Sequence, residues 1–421
     1  MFVRSSILVG LTAGFATGSL LFASLLLGFG TGLWWPATAR AHGHAQLFGW
    51  AGLRVIGVGL RFLPRLASKP EPNAAQVRRG FWFLLFGLVV RLGSRPATAI
   101  AEPETVARVA EIAWVIGAAG EFIGAVLVVA ALAKAITTGG TLPTNPAIRS
   151  LVPFFGISFL SLLAVSGITP VLGLLRLTNG ELLIDRTSSD GLILVMFYGF
   201  LIPASVAMSA RLFPLYVRTR PAKLQLLRAG LILLAAGVVL RLVTDGDGKL
   251  PIGRLLILAS TASFAASLGI FGPRRELPRR PMRLWRDVTG LHALSAYAWL
   301  LCAGAVQVLG AAWQDVERHL LGAGFVTMLI FGMGAHLIPG FGRRTIRGGL
   351  YLWATLLLGN LAVAIRVIPA IPDLHLPVQI ERSAGAAAGV AGLMALTFFA
   401  INVGVMFPRN AGPDDDTSSR T

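Results

Sequence analysis

The feature that most restricts this chain is a succession of twelve apolar stretches, at about 8–34, 44–66, 80–97, 111–136, 151–175, 191–215, 226–244, 252–272, 291–313, 319–340, 350–369 and 384–407. A membrane-crossing helix needs roughly 20 apolar residues, and a chain in lipid must satisfy its backbone polar groups internally. The expected fold is therefore all-α, a polytopic transmembrane bundle of twelve helices. Composition agrees: 55% of residues are hydrophobic and 13% charged, against about 25% charged in soluble domains. No connection is long enough for a soluble domain, so residues 1–421 are expected to form one membrane domain, with 408–421 a polar cytoplasmic tail. The first stretch precedes Ala39-Arg40-Ala41, which imitates a cleavage site. Its apolar run far exceeds the roughly 7–15 residues of a signal core, so it is read as a retained helix. The single Cys302 excludes a disulfide framework, a CxxC redox pair and a CxxCH haem attachment.

The net charge is +18, but the basic residues sit in loops without interleaved aromatics, so no nucleic-acid partner is expected. Alternate loops carry Arg61/Arg65/Lys69/Arg78/Arg79, Lys134/Arg149, Arg218/Arg220/Lys223/Arg228, Arg274/Arg275/Arg279/Arg280/Arg283/Arg286 and Arg343/Arg344/Arg347. The intervening loops are poorer in Lys and Arg and include Glu102/Glu104, Asp185/Asp190, Asp245/Asp247 and Asp315/Glu317. Because translocation disfavours Lys and Arg, both termini are placed on the cytoplasmic side.

Comparing spans reveals a repeat. The second runs from His44 through Gly49, Gly57 and Gly59 to Pro64; the tenth runs from His319 through Gly324, Gly332 and Gly334 to Pro339, at identical offsets. The sixth keeps Gly199 and Pro214, with Leu194 where His would stand and Ala207 and Ser209 replacing two glycines. A four-helix period predicts three four-helix units about a pseudo-threefold axis, an arrangement that resembles the core subunit of haem-copper oxidases. Glycine-rich helices ending in proline are also ordinary membrane packing elements.

Imidazole is the commonest metal ligand and an axial ligand of haem iron. Five of the six histidines, His42, His44, His292, His319 and His336, fall near the ends of these stretches, and His375 lies in an outer loop. His44 and His319 occupy equivalent repeat positions, as axial ligands of a non-covalent, b-type haem would. The alternative is that they are interfacial histidines bonded to loops or water. His42 and His44 project roughly 200° apart on a helix and share one ion only on extended backbone. His292 and His336, with His42, are candidates for a second haem or a copper. His336 stands 17 residues beyond His319, about 25 Å along a straight helix, too far to ligate the same metal.

Charges inside spans are expensive and mark function. Arg54, Arg91 and Glu121 fall near mid-span and form an expected buried cluster, either a proton path or a structural pair. Arg241, Arg318 and Arg366 are candidate partners for haem propionates, with snorkelling to the interface as the alternative.

Three segments carry a family resemblance: His42-Gly-His44-Ala-Gln-Leu-Phe-Gly49-Trp50, Leu291-His292-Ala-Leu-Ser-Ala-Tyr-Ala-Trp299, and His319-Leu-Leu-Gly-Ala-Gly-Phe-Val-Thr-Met-Leu-Ile-Phe-Gly332-Met333. They resemble the signature regions of the NnrS family, bacterial twelve-span membrane proteins containing haem and copper and associated with nitric oxide. The resemblance implies a haem protein relieving nitrosative stress in a denitrification or respiratory context, in the bacterial cytoplasmic membrane. Its partners would be membrane lipid, nitric oxide or another small gas, and a membrane electron donor. The family's HxH pair maps onto His42 and His44, its ninth-span histidine onto His292, and its tenth-span histidine onto His319. The chain departs from the pattern at the end of span ten, where His336 stands near a usual Arg and Pro339-Gly-Phe-Gly-Arg343 replaces a His-containing end. Three other functions compete: a membrane electron-transfer protein, which a coordinatively saturated bis-histidine haem would favour, a haem-copper-type reductase and a transporter. A haem-copper-type reductase needs a three-histidine copper site, and the sixth and seventh spans contain no histidine. A twelve-helix transporter would use Arg54, Arg91 and Glu121 as a substrate or proton path, although transporters commonly repeat in six-helix halves.

Overall fold

The computed structural model describes residues 1–29, 32–102, 104–138, 146–180, 186–244, 251–275, 287–342 and 346–405. Asp185, Asp245, Asp247, Arg279, Arg280, Arg283, Arg286, Arg343, Arg344 and the 408–421 tail lie outside the described residues. The protein is an all-α, multi-pass bundle. Among the described residues, eleven helices are long and apolar enough to cross a membrane: α1 (Phe2–Leu26), α2 (Trp34–Leu66), α3 (Ala74–Ile100), α4 (Glu104–Thr137), α5 (Val152–Asn179), α6 (Ser188–Tyr216), α7 (Leu224–Thr244), α9 (Val288–Leu309), α10 (Ala311–Ile338), α11 (Gly349–Ala370) and α12 (Val378–Asn402). The eighth apolar stretch forms a shorter helix, α8 (Ile252–Leu268). Outward faces carry large apolar side chains, as on α3 (Trp82, Phe86, Val89) and α4 (Val109, Ile116), which suits a lipid surroundings and would be a liability in water.

Contacts group the chain into two compact units, Met1–Ser209 with Lys223–Ser267, and Ala210–Ala222 with Leu268–Thr421. The first holds α1–α8 apart from the last turns of α6, and the second holds α9–α12. The break between α8 and α9 is thus a boundary between four-helix repeats.

The repeat is built into the packing. In α2, α6 and α10, two-thirds or more of the most apolar stretch is buried, against half or less in every other long helix. Each of the three changes to π-helical geometry at the same place, over Ala45–Gly52, Val195–Leu201 and Leu320–Val326. The residues immediately before these turns are His44, Leu194 and His319, the three matched positions of the repeat. A π-turn widens a helix locally and recurs at functional sites. The first repeated glycine of each helix also packs on the first helix of its own four: a Cβ on Gly199 would stand 2.5 Å from Ser161 Oγ on α5, and one on Gly324 2.7 Å from Trp299 on α9, while Gly49 abuts Val9 on α1. Small residues here let neighbouring backbones approach.

The helix boundaries differ most at the start of the chain. The apolar stretch 8–34 reads as one span, yet α1 ends at Leu26 and Gly28 turns the chain with φ +76°. Helix α2 then begins at Trp34, because Ala37 to Ala41 are good helix formers despite their weak hydrophobicity. Likewise α10 begins at Ala311, after Gly310 at φ +116°. Therefore His44 and His319 do not lie at helix ends, as their place in the apolar stretches suggests. His44 is about 15 Å along α2 and His319 about 12 Å along α10, counted at the helical rise per residue.

Candidate functional site

In the first unit the site begins with glycine. Helices α3 and α4 cross at Gly80, Gly87, Gly117 and Gly124, where a Cβ on Gly124 would stand 2.6 Å from the Leu84 nitrogen and one on Gly87 2.6 Å from the Glu121 nitrogen. Arg91 follows Gly87 by one turn, and Glu121 follows Gly117 by one turn. The close crossing therefore sets the two side chains face to face, and Arg91 Nη1 donates to Glu121 Oε2. Glu121 is 1% exposed, and its other oxygen, Oε1, accepts from His44 Nε2 at 2.7 Å. The imidazole stacks on Phe48, with centroids 5.4 Å apart and planes 21° apart. One guanidinium and one carboxylate cancel, so a neutral His44 completes the trio without net charge.

The Arg91 guanidinium also lies 4.8 Å from the centre of the Trp114 ring, and Arg95 lies 5.4 Å from the same ring. Arg54 does not join this cluster: its Nη2 donates to Ser6 Oγ at 3.0 Å, and it stacks over Trp50 at 4.3 Å. His42 turns instead to α1, where Nδ1 donates to the Gly14 carbonyl at 2.9 Å. That contact coincides with a kink, since Gly14 leaves helical geometry with ψ −106° inside the π-turn of α1.

The second unit holds a related group. His319 Nδ1 donates to the backbone carbonyl of Asp315 at 2.8 Å, and the Asp315 side chain accepts from Arg366 Nη2 on α11 at 2.6 Å. The arginines correspond too. Gly80, Gly87 and Arg91 of α3 recur as Gly230, Gly237 and Arg241 of α7, and as Thr355, Ala362 and Arg366 of α11, with spacings of seven and four residues. Histidine, acid and arginine thus meet in the first and third repeats, from matched positions for the histidine and arginine. The middle repeat has Leu194 and the buried Arg241 at those positions. Arg318 is half-buried beside His319.

His292 is fully buried and occupied on both ring nitrogens: Nδ1 donates to the Val288 carbonyl at 2.8 Å, and Nε2 lies 3.2 Å from Thr355 Oγ1. His336 stacks on Tyr216 with centroids 5.1 Å apart, and its Nε2 lies 2.8 Å from Thr289 Oγ1. Nearby, the Asp287 side chain caps α9 by accepting from the Gly290 amide at 2.9 Å. Burial pushes its carboxyl above the usual carboxylate range, against the pull of that amide and of Arg274. His375 is exposed in a loop. Among the described residues no three His, Cys, Asp or Glu side chains gather closely enough to hold a metal ion by themselves.

Sequence reasoning identified His44, Arg91, Glu121, His319 and Arg366, but not that they form two similar groups. It also passed over Asp315 as a loop acid, and did not single out Trp114 or Arg95. The repeated Gly-Gly-Arg spacing of α3 and α7 was the available signal. No family model and no curated protein matches this chain.

Proposed function

We propose that this multi-pass membrane protein binds haem and handles nitric oxide in a denitrification or respiratory setting, with His44 and His319 supplying imidazole. The observation that carries this reading is the state of the two rings. Each sits immediately before a π-turn at matched repeat positions, and each has one nitrogen donating to a fixed acceptor, Glu121 for His44 and the Asp315 carbonyl for His319. Among the described residues no group bonds the other nitrogen, His44 Nδ1 or His319 Nε2. A ring anchored through one N–H presents a lone pair on its other nitrogen, which is how metal-ligating histidines are usually oriented. Each ring taken by itself therefore offers a lone pair suited to haem iron. Bound haem would supply electron transfer and, at an open coordination position, affinity for a small gas. Glu121 and Asp315 hold the rings in one tautomer, and Arg91 and Arg366 hold the acids. The loop charges support cytoplasmic termini in a bacterial inner membrane.

A second reading rests on the same His44–Glu121–Arg91 chain, a buried ionic run of the kind transporters use for protons. The two separate experimentally. Full-length protein purified from haem-supplied cells should carry haem, and His44→Ala and His319→Ala should each lower its content at least severalfold while eluting as the same species. Unchanged haem in both variants would remove these ligands. A haem-free protein that carries protons in vesicles would favour the transporter.

A further inference from the structure

Arg95 is a buried charge with no acid bonded to it among the described residues. It lies on α3 one turn beyond Arg91, is 8% exposed, and its guanidinium makes no hydrogen bond or ion pair with any described residue. Its charged neighbours are Arg40, Arg91 and Arg176, brought in by α2, α3 and α5. Among the described acids, Glu121 is held by Arg91 and His44, while Glu111 has only an ion pair to Arg108 at 3.6 Å and keeps a buried Oε1 without a hydrogen-bond partner; neither forms an ion pair with Arg95. Arg91 adds a second open donor, because its Nε is buried without a hydrogen-bond partner among the described residues. Trp114 holds both guanidinia against one ring.

A buried guanidinium is strongly unfavourable unless a counter-charge joins it. Arginine matches oxyanions in particular, since its planar fork presents parallel N–H donors to two oxygens. Arg95 lies five residues before the end of α3, Arg40 six after the start of α2, and Arg176 three before the end of α5. All three stand towards the same end of the antiparallel helices, where an aqueous ligand has the shortest way in.

We propose that Arg95 and Arg91 Nε form a binding site for a phosphate-type or carboxylate-type oxyanion beside the His44 group, with Arg40 and Arg176 adding positive charge around it. The anion would come either free from solution or as the headgroup of an anionic phospholipid. Neither source requires haem.

The test uses full-length protein in detergent, with thermal unfolding followed by tryptophan fluorescence in sodium phosphate and in sodium chloride at equal ionic strength. Native mass spectrometry of the same preparation identifies any retained phospholipid. Phosphate should raise the unfolding midpoint where chloride does not, and Arg95→Gln should abolish the rise. Alternatively, a phospholipid retained by the wild type and lost by Arg95→Gln supports the same site and assigns the source to lipid. Arg95→Lys, which keeps charge without the fork, should weaken binding at least tenfold. Arg95→Met should lose the response yet unfold at a higher temperature than the anion-free wild type, because it removes an uncompensated buried charge. An equal response in wild type and Arg95→Gln, equal effects of phosphate and chloride, or no response together with no retained lipid would overturn the proposal. So would a lower anion-free midpoint in Arg95→Met, which would make Arg95 a structural residue.

Discussion

Glu121→Leu is expected to destabilise the protein by about 3–5 kcal/mol, the usual consequence of removing one partner of a buried pair. Glu121 is 1% exposed and serves two donors, so its loss leaves the Arg91 guanidinium and the His44 N–H without an acceptor. The effect lies in the unpaired charge more than in the lost attraction. The double variant Arg91→Leu/Glu121→Leu should therefore recover most of the stability, since an apolar pair of similar volume often replaces a buried ion pair without loss. Thermal unfolding of the purified single and double variants measures both. If the single variant behaves like the wild type, Glu121 is not holding Arg91.

Gly87→Val should do comparable damage by a different route. A Cβ at this position would stand 2.6 Å from the Glu121 backbone nitrogen and 2.8 Å from its Cγ. Overpacking a core typically costs about 1–3 kcal/mol where side chains can shift, and here the obstruction is backbone. Helices α3 and α4 would have to separate, which also pulls Arg91 from Glu121. The expected result is little monodisperse protein on size-exclusion chromatography. Gly93→Val on the same helix, where a Cβ meets nothing within 4 Å, is the control that should remain folded.

These two results depend on features of unequal visibility in the sequence. The all-helical membrane architecture was fully legible, because lipid permits few alternatives for apolar runs of this length. The match of His44 with His319 was legible as well, and the π-turns and buried glycines of α2, α6 and α10 give it a physical basis. Helix beginnings were less visible: the α1–α2 turn depends on Gly28 adopting a left-handed conformation, which an apolar run conceals. The partnership of Glu121 with both His44 and Arg91 was hidden for another reason. It joins three helices, and spacing along one chain does not encode which face of α4 meets α2. Arg54 illustrates the converse, since its mid-span position suggested the cluster, yet the rotation of α2 directs it to Ser6 and Trp50. Arg95 was overlooked because what makes it unusual is that no described acid pairs with it, which spacing along the chain does not reveal.

The claim that the anchored imidazoles serve haem is tested most directly by an optical spectrum of the full-length protein, purified in detergent from haem-supplied cells, oxidised, reduced, and then exposed to nitric oxide. The account predicts haem bands that sharpen on reduction and shift when nitric oxide is added. A spectrum without haem bands would contradict it.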